Sequence, residues 1–261
     1  MIRTLVAIEV DLASSLALRY ACQLGNLLDL EIHPVYVTGP STVEPNTGVG
    51  WVRRTWEREV VQRGKEEISQ LLTSEAESCP RLGEPRVIYG DRVTELMKLM
   101  EQEAYDLYVE GAPYPFNPST IFKRLNLKFY QRLQAPLIWL RVLRQINQVL
   151  ILCPGPASAE LLAQTFQRFW CGCAVPLHLG LASDAGEELQ GAVAQAQKDL
   201  EAAGCQVVLK DGFSLDPEGS PDAALKDYGL VAVAVEREIR KDSPKLQWLS
   251  QVKTPLMLVV H

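Results

Sequence analysis

Six residues in the first half of the chain have the side chains or the backbone freedom needed to hold an anion. They are two acids, two glycines and two adjacent cations: Glu9, Asp91, Gly90, Gly111, Lys123 and Arg124. A glycine lets backbone N–H groups approach a phosphate closely. We expect Lys123 and Arg124 to open a helix, where a cation is unfavourable for the helix dipole unless an anion sits beside it. One interpretation of the pattern is an anion site, of the kind that a phosphate would occupy. The other, which we favour, is that Lys123 and Arg124 are ordinary surface cations.

The cysteines show no pattern that is typical of a metal site. The chain has six of them: Cys22, Cys79, Cys153, Cys171, Cys173 and Cys205. Because the N-terminal segment lacks the features of an export signal, we expect free thiols in a reducing cytoplasm. Cys171-Gly172-Cys173 has no second pair and no nearby histidine to complete a zinc set. A structural role is favoured there, with redox activity as the alternative.

No catalytic set is apparent either. The three histidines, His33, His178 and His261, lie in or at the ends of strand-like segments, and the first two occupy equivalent positions of an internal repeat. That placement favours packing over catalysis. No serine or cysteine nucleophile lies beside a histidine on a recognisable turn.

Composition limits the classes of protein and partner. The chain has 261 residues, a length that suits one large or two ordinary domains, and its 47% hydrophobic and 22% charged residues are ordinary for a globular protein. The net charge of −6 gives no general electrostatic reason to bind nucleic acid or an anionic membrane. No apolar run approaches the ~18 residues that a membrane helix needs. We therefore expect a cytoplasmic protein without nucleic-acid or membrane partners.

Strand-like runs alternate with longer stretches of helical period. The predicted strands span residues 5–9, 32–37, 85–89, 107–109, 137–142, 149–152, 175–181, 207–210, 230–235 and 255–260. The predicted helices span residues 13–28, 52–78, 93–103, 123–133, 159–170, 187–203, 221–226 and 243–252, and residues 38–50 are predicted to form a loop. This alternation predicts parallel sheets with helices on both faces.

The two halves of the chain repeat each other. The run Ala-Pro-Leu-Ile-Trp-Leu at 135–140 recurs as Thr-Pro-Leu-Met-Leu-Val at 254–259, and Tyr-Asp-Leu-Tyr-Val at 105–109 recurs as Tyr-Gly-Leu-Val-Ala at 228–232. A period of more than a hundred residues indicates a duplicated domain, since solenoid periods run about 20–50 residues. We predict domains over 1–144 and 145–261, the second being shorter between its second and fourth strands.

Several of these segments resemble the universal stress protein family in its tandem form. Residues 5–11 are similar to the family's opening strand, 89–92 to the turn after its third strand, 105–111 to its fourth strand and 135–140 to its fifth. The resemblance implies two Rossmann-like domains of the adenine nucleotide alpha hydrolase-like type. Each is expected to have an open five-stranded parallel sheet of order 3-2-1-4-5. The two are expected to pair through their fifth strands as an intrachain pseudo-dimer, with Trp139 and Met257 near the interface.

The chain departs from the pattern of the family's ATP-binding members, which have glycines and a Gly-Ser or Gly-Thr pair after the fourth strand and an acid after the first. Gly111 matches the first glycine, but Tyr114 holds the second position inside a loop with three prolines. Lys123 and Arg124 lie near the Gly-Ser position, and Glu9 replaces the shorter acid. By the resemblance, Val37 joins Glu9, Gly90, Asp91, Gly111, Lys123 and Arg124 in the predicted ligand-binding set.

In the second half the pattern is lost. Cys153 or a neighbour replaces the acid, and residues 235–242 contain no glycine but do contain Glu236 and Glu238, which disfavour a triphosphate. The resemblance then implies a non-enzymatic stress protein with no expected cofactor, acting through protein association, as a monomeric pseudo-dimer or a homodimer. The alternatives are a single-site ATP or AMP sensor using the first domain, and a hydrolase of a phosphorylated small molecule.

Overall fold

Ten strands form one continuous sheet in the computed structural model, which describes residues 1–39, 51–76, 79, 81–182, 185–213 and 221–261. The strands are β1 Ile2–Ile8, β2 Leu30–Thr38, β3 Arg86–Tyr89, β4 Leu107–Gly111, β5 Leu137–Leu140, β6 Val149–Leu152, β7 Leu177–Gly180, β8 Val207–Lys210, β9 Leu230–Val235 and β10 Leu256–Val260. Their order across the sheet is β3-β2-β1-β4-β5-β10-β9-β6-β7-β8. Each half therefore has the predicted order 3-2-1-4-5, and all pairs within a half are parallel.

The two halves join through their fifth strands. β5 pairs antiparallel with β10, with Met257 opposite Ile138 and Leu256 opposite Trp139. This confirms the predicted pseudo-dimer and the place of Trp139 and Met257 at its interface. The antiparallel pairing also reverses the second half, so the carboxyl ends of its strands lie at the opposite edge of the sheet from those of the first half.

Helices cover both faces of the sheet, as the alternating pattern predicts. They are α1 Leu12–Leu27, α2 Trp51–Ala76, α3 Arg92–Glu103, α4 Pro118–Leu125, α5 Lys128–Arg132, α6 Pro156–Trp170, α7 Glu187–Ala202, α8 Pro221–Leu225 and α9 Pro244–Gln251. One core lies under α1, α2, α6 and α7, and the other under α3, α4, α5, α8 and α9. Each core runs across both halves, so the seam between them is part of the hydrophobic interior.

Two histidines are packed in the same way in the two copies. The ring of His33 meets that of Tyr105 edge to face with centroids 5.4 Å apart, and His178 meets Tyr228 at the same separation. Tyr105 and Tyr228 are themselves repeat equivalents. Nδ1 of His178 also lies 3.0 Å from the Tyr228 hydroxyl, and burial lowers the pKa of this histidine. Both side chains therefore serve in packing.

The predicted helix over residues 123–133 is wrong. Asn117 caps α4 by accepting the N–H of Thr120, and Pro118 occupies the first turn, where it has no hydrogen bond to lose. The helix is interrupted at Leu127, whose backbone is extended, and α5 begins at the next residue. Lys123 and Arg124 consequently lie in the last turn of α4, where a cation is favourable for the helix dipole. The dipole gives no reason to place an anion beside them.

The prediction that all six cysteines are free thiols is also wrong. Cys22 on the buried side of α1 and Cys79 after α2 form a disulfide, with Cα atoms 5.2 Å apart. The two residues are 57 positions apart in sequence, so only the packing of α1 against the end of α2 brings them within bonding distance. Cys153, Cys171, Cys173 and Cys205 are free.

The fold does not test the predicted loop, the domain boundary or the cellular location. Most of the predicted loop over 38–50 lies outside the described residues. Among the helices that are described, none is long and apolar enough to cross a membrane. The domain boundary at 144/145 and the cytoplasmic location stay predictions.

Gly229 provides a test of how tightly the second half packs against the segment that joins the halves. A Cβ on Gly229 would lie 2.2 Å from the carbonyl oxygen of Gln145 and 2.5 Å from Cα of Ile146. Since backbone cannot move aside cheaply, we expect Gly229→Ala to lower the free energy of unfolding by about 1–3 kcal/mol or more. Urea denaturation measures this loss.

The matched control is Gly191→Ala in α7, where an added Cβ meets nothing within 4 Å. There alanine should stabilise the helix by roughly 0.5–1 kcal/mol. Equal effects of the two substitutions would contradict the close packing at Gly229.

Candidate functional site

A cleft of about 440 Å³ opens at the carboxyl ends of β1 and β4. In an open parallel sheet this edge, beside the point where the strand order reverses, is where ligands bind. The start of α1 and the end of α4 form its walls. Its polar and charged lining includes Glu9, Asp11, Ser14, Arg92, Thr120, Lys123 and Arg124.

The structure brings four of the seven predicted ligand-binding residues into this cleft. Glu9, Gly111, Lys123 and Arg124 are among its lining. The other three lie outside that lining. Val37 packs against the core under α3, the N–H of Gly90 donates to the carbonyl of Thr38, and Asp91 caps α3 by accepting the N–H of Thr94.

A buried carboxylate lies directly behind the cleft. Glu110, the residue before Gly111 in β4, is only 1% exposed. Its Oε2 lies 3.0 Å from Nη2 of Arg92 and 2.9 Å from Nη2 of Arg124. Three neutral donors complete the cluster: the hydroxyl of Tyr108 on Oε2, and the hydroxyl of Tyr130 and the indole of Trp139 on Oε1. We call these six residues the Glu110 cluster.

Charge pairing keeps Glu110 ionised in spite of its burial. Burial alone would raise the pKa of this carboxyl, but the positive charges of Arg124 and Arg92 and the hydrogen bonds from Tyr130 and Trp139 outweigh it and lower the pKa. Burial alone would lower the pKa of both arginines, but the acidic groups around them, Glu110 among them, outweigh it and raise the pKa. Burial raises the pKa of Tyr108 and Tyr130 as well, so both phenols remain hydrogen-bond donors.

Arg92 has a second acidic partner at the mouth of the cleft. Its Nη1 lies 2.6 Å from Oε1 of Glu9, which is half exposed. The guanidinium therefore bridges a surface carboxylate and a buried one. Both arginines of the cleft are paired with acids before any ligand enters, whereas Lys123 is exposed and has no ion-pair partner among the described residues.

Solved structures share this architecture over the whole chain. A universal stress protein from Archaeoglobus fulgidus aligns with 99% of this chain and 96% of its own, with a TM-score of 0.64 and 12% sequence identity. The chain has the tandem universal stress protein fold. A protein of unknown function from Pseudomonas aeruginosa PAO1 aligns with 99% of this chain and 92% of its own, with a TM-score of 0.60 and 13% identity. No protein-family model and no curated protein matches the sequence.

In this universal stress protein fold, the loop after β4 is built for packing. An added Cβ on Gly111 would lie 2.5 Å from Cβ of Ala13, so this glycine lets β4 approach α1. At the start of α4, Pro118 has no N–H to offer, and the side chain of Asn117 already accepts the N–H of Thr120. The helix terminus that could receive a phosphate is therefore largely satisfied within the chain.

The second copy of the universal stress protein fold has an acidic loop at the corresponding place. A shallow cleft of about 380 Å³ is lined there by Glu236, Glu238 and Asp242 together with Arg240 and Lys245. Nζ of Lys245 lies 2.6 Å from Oε1 of Glu236. The remaining charges in the lining are two acids, Glu238 and Asp242, and one cation, Arg240. Cys153 follows β6 where Glu9 follows β1, and burial raises the pKa of its thiol to about 12. A neutral thiol thus replaces the carboxylate.

The sequence-based reasoning missed Arg92 and Glu110. A readable signal existed for each. Glu110 is a charged residue inside an otherwise apolar strand, where an ion is stable only with a partner. Arg92 directly follows the capping Asp91 in the turn that resembles the family. The sequence does not show, however, that two cations from α3 and α4 converge on one carboxylate from β4.

The Glu110 cluster predicts a large and pH-dependent stability effect. Glu110→Gln removes the charge and leaves two partly buried arginines facing a neutral amide. We expect the free energy of unfolding to fall by about 3–5 kcal/mol near pH 7, the usual cost of breaking a buried pair. Because the folded-state pKa of Glu110 is lowered, its contribution is present above the unfolded pKa of about 4.3 and is lost as pH falls through the folded pKa.

Chemical denaturation at a series of pH values measures both effects. The difference between wild type and Glu110→Gln should shrink as the pH is lowered below about 4. The control is Glu236→Gln, a half-exposed partner of Lys245, for which about 0–1 kcal/mol is expected. Equal losses for the two variants would contradict the role given to the Glu110 cluster.

Proposed function

We propose that this chain is a non-enzymatic, universal-stress-type protein that acts in a stress response through association with other proteins. The proposal divides it into domains over 1–144 and 145–261. In it the second domain does not bind ATP, and the first has at most a residual ligand site. The unknown partner is a protein, and a homodimer is one form that the association can take.

The Glu110 cluster is the observation that supports this proposal most strongly. Three phosphate groups need several cations and open backbone N–H groups. In the first half the arginines of the cleft are bound to Glu110 and Glu9, and the start of α4 is capped by Asn117. An incoming phosphate would have to compete with a buried carboxylate for the same guanidinium groups. The geometry therefore disfavours a triphosphate.

The acidic loop of the second half supports the same conclusion. Glu238 and Asp242 would repel phosphate oxygens at short range, and no glycine lies between Val235 and Asp242 to bring the backbone close. Since neither half offers a site suited to a triphosphate, the features that both halves keep are the strands of the sheet and the pairing of β5 with β10.

Nucleotide content tests the proposal. We expect mass spectrometry of the supernatant from heat-denatured, freshly purified protein to show no stoichiometric nucleotide, and calorimetry with ATP and AMP to show no saturable heat. A domain of the same fold known to bind ATP serves as the positive control in both measurements. Co-purified nucleotide at about one molecule per chain would overturn the proposal.

A second candidate function is a single-site sensor of ATP or AMP in the first half. The specific observation in its favour is the cleft of about 440 Å³ with exposed Lys123 at its wall. Nε of Arg124 is also buried without a hydrogen-bond partner, so this side chain has a donor left to satisfy. AMP, with one phosphate, demands fewer cations than ATP.

Charge reversal at Lys123 tests the sensor. If the first half binds a nucleotide, Lys123→Glu should weaken the affinity by about tenfold or more, since a charge-assisted contact contributes about 1.5–3 kcal/mol. Lys128→Glu on α5 is the matched control, because this lysine is exposed and is not among the cleft-lining residues. Equal affinities for the two variants in calorimetric titrations with AMP would count against a site at this cleft.

The hydrolase alternative receives no such support. Its two candidate acids are both engaged: Asp91 caps α3 and Glu9 is paired with Arg92. We therefore do not propose a hydrolytic step.

A further inference from the structure

Three free cysteines of the second half come together at one edge of the fold, away from the cleft. Cys171 follows α6 and is exposed, Cys173 lies two residues later and is buried, and Cys205 follows α7 and is buried. Cys205 is far from the other two in sequence but adjacent to them in space, because α6 and α7 end side by side. Gly172 and Gly204, both with left-handed backbone, form the two turns, and a Cβ on Gly204 would lie 3.9 Å from the N atom of Gly172.

One backbone carbonyl links the two turns. The carbonyl oxygen of Trp170 accepts the N–H of Cys173 at 3.0 Å and lies 3.6 Å from Sγ of Cys205, which donates to it. Trp170 directly precedes Cys171. The buried thiol of Cys205 is therefore aimed at the peptide unit from which the exposed thiol of Cys171 extends, while Cys173 is held in place by its backbone hydrogen bond.

Cys171 and Cys205 differ in their exposure to solvent and therefore in their reactivity. A small oxidant in solution can reach Cys171. Cys205 is shielded, and burial together with the neighbouring Cys171 and Cys173 raises its pKa to about 11. At neutral pH it is a neutral thiol that does not react first. Such a pair, one exposed thiol and one sheltered neighbour, is typical of reversible thiol oxidation.

We propose that Cys171 and Cys205 are a thiol oxidation site, which a hydroperoxide converts to a disulfide between the ends of α6 and α7. In the first step the Cys171 thiol releases its proton, its thiolate attacks the peroxide, and the O–O bond breaks. This gives a sulfenic acid and a hydroxide, and the hydroxide takes up the released proton as water. In the second step the sulfur of Cys205 attacks the sulfur of Cys171, the S–O bond breaks, and the leaving hydroxide takes the thiol proton as water. Two thiols lose two electrons and two protons, and hydrogen peroxide becomes two waters.

Disulfide mapping tests this site in the full chain. The protein is treated with hydrogen peroxide, its remaining thiols are alkylated under denaturing conditions, and non-reduced digests are analysed by mass spectrometry. We expect a new Cys171–Cys205 crosslink that dithiothreitol removes. The Cys22–Cys79 crosslink should be present before and after treatment, and buried Cys153 should remain alkylatable. Crosslinking should be faster at pH 9 than at pH 7, because the thiolate is the reacting form of the thiol in both steps.

Three serine variants separate the roles of the thiols. Cys173→Ser should leave the crosslink unchanged. Cys171→Ser should abolish it, with Cys205 staying a free thiol. Cys205→Ser should let Cys171 proceed to sulfinic acid at the same peroxide concentration. A crosslink through Cys173, or Cys205 that stays fully alkylatable while wild-type Cys171 is oxidised, would overturn the proposal. The wild-type map decides alone if a variant fails to fold.

Discussion

The antiparallel pairing of β5 with β10 is the constraint on which the rest of the molecule depends. Each half has an apolar fifth strand that would otherwise form an exposed edge, and such edges favour uncontrolled pairing with other chains. Joining the two edges buries Trp139, Met257 and Leu258. It also merges the cores of the halves on both faces of the sheet. Because this pair is antiparallel, the carboxyl ends of the strands in the two halves, where ligands bind in such sheets, lie at opposite ends of the sheet. The loops at these ends can therefore differ between the two halves without affecting each other.

Trp139 connects that seam to the cleft. On β5 it lies opposite Leu256 of the second half, and its indole donates to Glu110 at 2.9 Å. Glu110 in turn holds Arg92 and Arg124 at the base of the cleft. The arginines are thus positioned by a chain of contacts that begins at the interface between the halves. A buried carboxylate is stable only if its five donors are held in place around it, and the pairing of β5 with β10 helps to hold them.

Much of the fold could be predicted from the sequence, because strands buried on both faces are continuous apolar runs and because the repeat shows each element twice. The runs at β6, β8 and β9 were predicted with the bounds that the structure gives them. The errors arose where local chemistry outweighs periodicity. Asn117 and Pro118 begin α4 earlier than the apolar pattern indicates, and Leu127 interrupts it. The disulfide and the convergence on Glu110 depend on tertiary packing, to which a single sequence gives no direct access.

The Glu110 cluster also bears on what kind of ligand the first half could accept. To bind both guanidinium groups, an anion must either displace Glu110 from them or share their remaining N–H groups. Displacement leaves a charged carboxylate buried without cations, which costs several kcal/mol. Sharing is cheaper, but only the N–H groups that face the cleft are available, and Glu9 already occupies Nη1 of Arg92. A single phosphate or carboxylate fits that limit, whereas a triphosphate exceeds it. The ion pairs that stabilise the interior of the first half thereby restrict the chemistry of its surface.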